Sequence, residues 1–138
     1  MQVSGNASGT GPLSGIRVMD VSIMAAGPWT GALLGMLGAE VIKVEPPAGD
    51  GTRWVMPTQR GMGTNYVSMN VNKKDIVLDF KSAEGRRDAL DLMASCDVFV
   101  QNFRGGVIER LKLDYESVCG AMPRLVLNSL VIATVQTV

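Results

Sequence analysis

A chain of 138 residues, 46% of them hydrophobic, holds at most one domain and has enough apolar surface for a core, which excludes a wholly disordered polypeptide. Thirteen basic and thirteen acidic residues cancel, which argues against nucleic acid or an anionic membrane as a bulk electrostatic partner. Histidine is absent, which excludes Ser-His and Cys-His nucleophile systems and the usual zinc sites.

The opening MQVSGNASGTG has neither a cationic start nor an apolar core, so it does not read as a signal peptide, and residues 1–11 are expected to be disordered. Residues 16–21 form an apolar, β-branched run that suits a buried strand. Gly27-Pro28 then opens a helix, with Pro28 expected at the first helical position, running to Leu37 and stopped by Gly38. Gly31 and Gly35 share one face of it; glycine weakens a helix by about 1 kcal/mol, so another backbone is expected to pack very close there.

EVIKVE, Glu40 to Glu45, alternates and reads as the second strand. The loop over 46–63 is long enough to be functional, and residues 65–72 are either helical or irregular. A strand is expected over 75–80, followed by a helix over 83–95 capped by Ser82, with Leu90, Met93 and Ala94 as its apolar stripe. A strand over 97–103 ends at Gly105-Gly106, and a short helix runs through Leu111. Asp114 caps another helix toward Ala121, and a last strand covers 125–130. This alternation makes an α/β fold, a doubly wound and mostly parallel open sheet with helices on both faces, spanning residues 12–130.

The remaining eight residues, 131–138, are apolar and uncharged, a β-prone tail able to pair edge to edge. No apolar run approaches the roughly 18 residues of a membrane helix. Cys96 and Cys119 lack metal-type spacing and read as two reduced core thiols, so a cytoplasmic location is expected.

Three places carry chemistry. The turn Met24-Ala25-Ala26-Gly27-Pro28 lets a ligand approach the helix start, or is simply a tight strand-to-helix turn. It is not G-x-G-x-x-G, although Glu45, 18 residues beyond Gly27, stands where a dinucleotide fold binds ribose, which keeps a nicotinamide-dependent oxidoreductase open as an alternative. Lys81, after a strand and at a helix start, suits a phosphate or is a solvated cation. Asn102-Phe103-Arg104 offers an amide, an aromatic face and a planar guanidinium at a strand end, with Arg110 following on the short helix. Asp20, Asp79 and Asp97 read as strand-end or cap residues.

The ordered series PLSGIRVMDV, AAGP, LGAEVIKVEPP, GDGTR, NKKDIVLDFKSAEG, CDVFVQNFRGG, IERLKLDYESV and MPRLVLNSL resembles the class III coenzyme A-transferases over residues 12–130. The resemblance implies a Rossmann-like N-terminal domain that binds CoA, in a homodimer of two interlocked ring-shaped chains. Carried over by position, CoA contacts would come from Ala25 and Ala26, from Leu78, Asp79, Phe80 and Lys81, and from Asn102, Phe103, Arg104 and Arg110. Pro46 stands where some members carry arginine, and Ala25 where one branch carries glutamine, which departs from any specific substrate assignment.

In this family a catalytic aspartate attacks an acyl-CoA thioester, an aspartyl-CoA thioester forms through a mixed anhydride, and an acceptor carboxylic acid completes transfer without a metal or redox cofactor. That aspartate follows a glycine-containing run after LNSL; here VIATVQTV follows instead, and no aspartate matches the position. The expectation is therefore an N-terminal fragment, inactive alone, with its tail arising from a shifted reading frame, an alternative transcript or an artefact. A CoA-binding-only module and a fragment of the family's acyl-CoA racemase branch are the alternatives.

Overall fold

The computed structural model describes residues 10–130; the expected tail over 131–138, and residues 1–9 of the expected disordered segment, lie outside the described residues. At Gly11 the chain already packs on the end of the first helix, where the Leu37 carbonyl accepts a hydrogen bond from Leu13 N.

Five strands form one parallel sheet: β1 (Arg17–Asp20), β2 (Glu40–Glu45), β5 (Lys73–Val77), β6 (Val98–Gln101) and β7 (Val126–Ser129), in the order β5-β2-β1-β6-β7. A two-residue pair, β3 (Thr58–Gln59) and β4 (Met62–Gly63), stands apart from it. Helix α1 (Ala26–Met36) joins β1 to β2, while α3 (Ala83–Ala94) joins β5 to β6. The short helices α4 (Val107–Arg110) and α5 (Tyr115–Val118) lie between β6 and β7, and α2 (Thr64–Met69) precedes β5.

Side chains alternate between two cores, as strand geometry requires. Val18, Val41 and Val100 meet Leu34 of α1 on one face. Met19, Val44 and Phe99 meet Ala89 and Met93 of α3, with Ile108 and Val118, on the other. Helices therefore cover both faces of an open parallel sheet, the Rossmann-like architecture expected. Successive connections leave β1 in opposite directions, so a crevice opens between the carboxyl ends of β1 and β6.

Local chemistry sets the boundaries. Ser82 caps α3 by accepting from Gly85 N at 2.9 Å, and Asp114 caps α5 by accepting from Ser117 N at 2.9 Å. Gly38, at φ +102°, turns the chain out of α1 through a conformation that other residues adopt poorly.

Several expectations need correction. Helix α1 starts at Ala26, which puts Pro28 third rather than first; its missing N–H still costs nothing, because Trp29 N makes the first bond of the helix, to Ala25 O. At Gly35 a backbone does approach, an added Cβ lying 3.5 Å from the Asn72 carbonyl oxygen, but at Gly31 the nearest atoms belong to side chains. A Cβ there would lie 2.5 Å from Asp20 Oδ2 and 3.1 Å from Lys73 Nζ, so the glycine makes room for buried charges. Strand β5 covers Lys73–Val77 rather than 75–80, placing Lys73 and Lys74 inside it and Leu78 to Lys81 in the following loop. An Asp79 carboxylate oxygen accepts from Lys81 N at 3.0 Å, and that turn ends the strand. Helix α3 buries Gly85, Ala89 and Met93, while Ala94 is exposed. Residues 46–63 contain a 3-10 turn at Gly51–Trp54 and the β3–β4 pair, and residues 64–69 are helical.

Candidate functional site

At the carboxyl edge of the sheet the loops after β1, β2, β5 and β6 enclose a cleft of about 450 Å³. Ile23 and Met24 form one lip, Gly49 and Gly51 a second, and Asp79, Phe80 and Lys81 a third. Phe103, Val107 and Leu111 close the wall, and Arg110 stands beside them. The lining is mainly apolar. Lys81 and Arg110 are exposed cations on it, and among the described residues neither has an ion-pair partner.

Five of the ten residues carried over from the resemblance thus meet here: Asp79, Phe80, Lys81, Phe103 and Arg110. The others stand elsewhere. Leu78 packs against the α3-side core. Ala25 and Ala26 are exposed at the start of α1 and do not line the cleft. Asn102 spends its amide on backbone: Oδ1 accepts from Ile23 N and Nδ2 donates to Ile23 O, both at 2.8 Å. Arg104 is exposed and lines an adjoining depression of about 440 Å³ with Gln101, Tyr115 and Glu116. Phe103 is the wall shared by the two spaces.

Close to the cleft lies an ionic lattice, buried at Asp20, Lys43, Glu45 and Asp50 and open to solvent at Asp75. In the parallel register Asp20, Lys43 and Asp75 stand side by side across β1, β2 and β5, alternating in sign on one face. Lys43 Nζ donates to Ser22 O at 2.8 Å and approaches Asp50 Oδ2 at 3.3 Å. Lys73 Nζ donates to Asp20 Oδ2 at 2.8 Å, Pro28 O at 2.7 Å and Asn70 Oδ1 at 2.9 Å. Ser22 closes onto the other oxygen of Asp20 through both its backbone N–H and its hydroxyl.

Glu45 accepts from Arg53 Nε at 2.7 Å, from the Tyr66 hydroxyl at 2.6 Å and from Asp50 N at 2.9 Å. The Arg53 guanidinium also lies 4.0 Å from the Tyr66 ring centre and reaches Asp75 Oδ2 at 2.7 Å. Each charge in the lattice has an opposite partner, the condition under which burial of ions is tolerated.

Titration follows from these contacts. Burial pushes the Glu45 carboxyl up, but bonds from Arg53, Tyr66 and Asp50 N together outweigh it and hold the group below its usual 4.5. Burial, then the hydrogen bond to Glu45 and its charge, drive the Tyr66 phenol far above its ordinary value. Burial lowers Lys73 against the opposing pull of Asp20, and burial with the nearby Glu45 raises Asp75. With Glu45 only 2% exposed and fully bonded, it offers nothing to a ribose, so the nicotinamide alternative lacks its acceptor.

The lattice had no sequence signal strong enough to reveal it. Lys43 and Glu45 sit in an alternating strand, a pattern that ordinarily marks a solvated face. The cleft walls at Ile23, Met24, Val44, Val107 and Leu111 are ordinary apolar residues, which only the topology brings together.

Residues 13–131 match the family model described as CoA-transferase family III. The chain is 42% identical over 121 residues to succinyl-CoA:glutarate CoA-transferase of Mus musculus, covering 86% of this chain and 28% of that protein. It is 38% identical over 120 residues to formyl-CoA:oxalate CoA-transferase of Afipia carboxidovorans, again covering 86% and 28%. A CAIB/BAIF family protein from Brucella suis has a similar solved structure, with TM-score 0.81 and 40% identity over 86% of this chain and 33% of that one. Rv3272 from Mycobacterium tuberculosis superposes with TM-score 0.84 at 32% identity, covering 94% of this chain and 36% of that one. The chain spans less than a third of the length of these two curated relatives.

Proposed function

The chain belongs to CoA-transferase family III, and on that premise we propose that its cleft holds coenzyme A, the group that relatives of this kind pass between carboxylic acids. One observation carries the reading: an apolar cleft at the carboxyl edge of a parallel sheet, with two exposed cations beside it that have no ion-pair partner among the described residues. A pantetheine arm suits walls of Phe80, Phe103, Val107 and Leu111, and the phosphates suit Lys81 and Arg110. The cleft takes part of such a molecule. Arg104, in the adjoining depression, is available to a portion that extends past Phe103.

These residues bind and orient; they do not supply a nucleophile. Asp20, Glu45 and Asp50 are buried and paired, and Asp79, the carboxylate on the cleft lining, has one oxygen engaged by Lys81 N. Covalent transfer needs a free carboxylate facing the thioester. We therefore read the chain as a CoA-binding part of a transferase that performs no acyl exchange alone. Its location is proposed as cytoplasmic and the longer family protein as a dimer. The outward face of α1, where Trp29, Leu33, Met36 and Leu37 are exposed, supports a further protein contact.

Titration calorimetry of the full chain with CoA tests the reading. Saturable binding that weakens with salt is expected. Absence of binding contradicts the cleft's role, and thioester exchange by the pure chain contradicts its inactivity.

A further inference from the structure

Met24 stands on a lip of the cleft at φ +67°, a left-handed conformation that costs a non-glycine residue about 1 kcal/mol or more. Something must hold it there. Its N–H points at the Asp50 carboxylate, 3.2 Å from Oδ2 and 3.4 Å from Oδ1. The preceding residue, Ile23, is gripped at both N and O by the Asn102 side chain, each at 2.8 Å. One residue earlier, the Ser22 carbonyl accepts from Lys43 Nζ, which also faces Asp50.

Asp50 does more than hold Met24. Its Oδ1 accepts from Thr52 N at 2.9 Å and from the Thr52 hydroxyl at 2.7 Å, so the same carboxylate fixes the 3-10 turn behind Gly49 and Gly51. Its side chain is fully buried, and neither Asp50 nor Asn102 lines the cleft.

We propose that Asp50 and Asn102 are a pair of positioning residues that clamp the Ile23-Met24 lip from opposite sides, keeping the cleft in its binding shape before a ligand arrives. The consequence for affinity rests on the reading of the cleft as a CoA site. A lip ordered in advance spares the ligand the cost of ordering it.

The test combines amide exchange by NMR on the ligand-free full chain with CoA calorimetry on the same samples. Asn102→Ala and Asp50→Asn are expected to speed exchange at Ile23 and Met24 and weaken CoA, each by about ten-fold. Arg110→Ala is expected to weaken CoA without changing exchange at those amides. Unchanged exchange in Asn102→Ala overturns the clamp; faster exchange with undiminished CoA affinity overturns its service to the site. Should Asp50→Asn fail to fold, Asn102→Ala decides alone. If the unmodified chain takes no CoA, the reading of the cleft fails separately. Exchange at Ile23 then still decides the clamp: acceleration in Asn102→Ala upholds it, and no change overturns it.

Discussion

Lys73 Nζ lies 2.8 Å from Asp20 Oδ2 directly beneath Gly31 of α1, with both side chains almost wholly buried. The helix crosses this pair at a position where it carries no Cβ. A methyl group at Gly31 would stand 2.5 Å from the carboxylate, and the carboxylate is held by Lys73 and Ser22 and has nowhere to go. Gly31→Ala, which improves helix propensity, is nevertheless expected to destabilise the chain by about 2 kcal/mol. Urea denaturation would show it, and a neutral or stabilising effect would mean that the pair is not rigid.

Removing one partner of that pair should cost more. Lys73→Met leaves Asp20 as an uncompensated buried charge, and a loss of about 3–5 kcal/mol is expected. A second substitution, Asp20→Asn, should recover part of it. The double-mutant cycle reads the coupling; additive losses would show that the two side chains do not sense each other.

Acid should unfold the protein partly through Glu45. A carboxyl held below its usual 4.5 in the folded state contributes stability that is fully present above that value. The contribution is lost as pH falls through the lower folded value. Glu40, held low by Lys74 and also by Arg17 at the surface, adds weakly in the same direction, and Asp75, whose carboxyl is raised, opposes it. Stability measured across about pH 5 to 3 should fall steeply in the unmodified chain and more gently in Glu45→Gln. At pH 7 that variant should be less stable by about 2 kcal/mol, since Arg53 is partly exposed and water compensates some of its loss. Parallel pH curves for the two proteins would remove Glu45 from the account.

At the cleft, Lys81→Ala and Arg110→Ala are each expected to weaken CoA by about ten-fold with little change in melting temperature, because both side chains are exposed and, among the described residues, free of ion pairs. Each should also make binding less sensitive to salt. A drop in melting temperature without a change in affinity would assign them to the fold instead.

Strand β2 emerged over the same residues that its alternation marked, Glu40–Glu45, and the Ser82 and Asp114 caps stand where their side-chain chemistry put them. Local rules sufficed for these because the signal is local. They misplaced β5, since Lys73 and Lys74 look like solvent-facing residues before a strand; only the register against β2 shows Lys73 beside Val41, within reach of Asp20. The cleft was half legible. Lys81, Phe103 and Arg110 stand out as ligand-binding types and Phe80 enters through the family resemblance, whereas Asn102, of the same ligand-binding type, bonds instead to Ile23, 79 positions away. Backbone hydrogen bonds across such a separation leave no trace in residue type or spacing.

The most direct measurement is a map of backbone NMR shifts as CoA is added to the isotope-labelled chain. Shifts concentrated at Met24, Gly49, Phe80, Lys81, Phe103 and Arg110 are the result predicted. A titration that moves none of these, or moves only residues at the opposite edge around Leu13 and Ile16, would contradict the assignment of the cleft to coenzyme A.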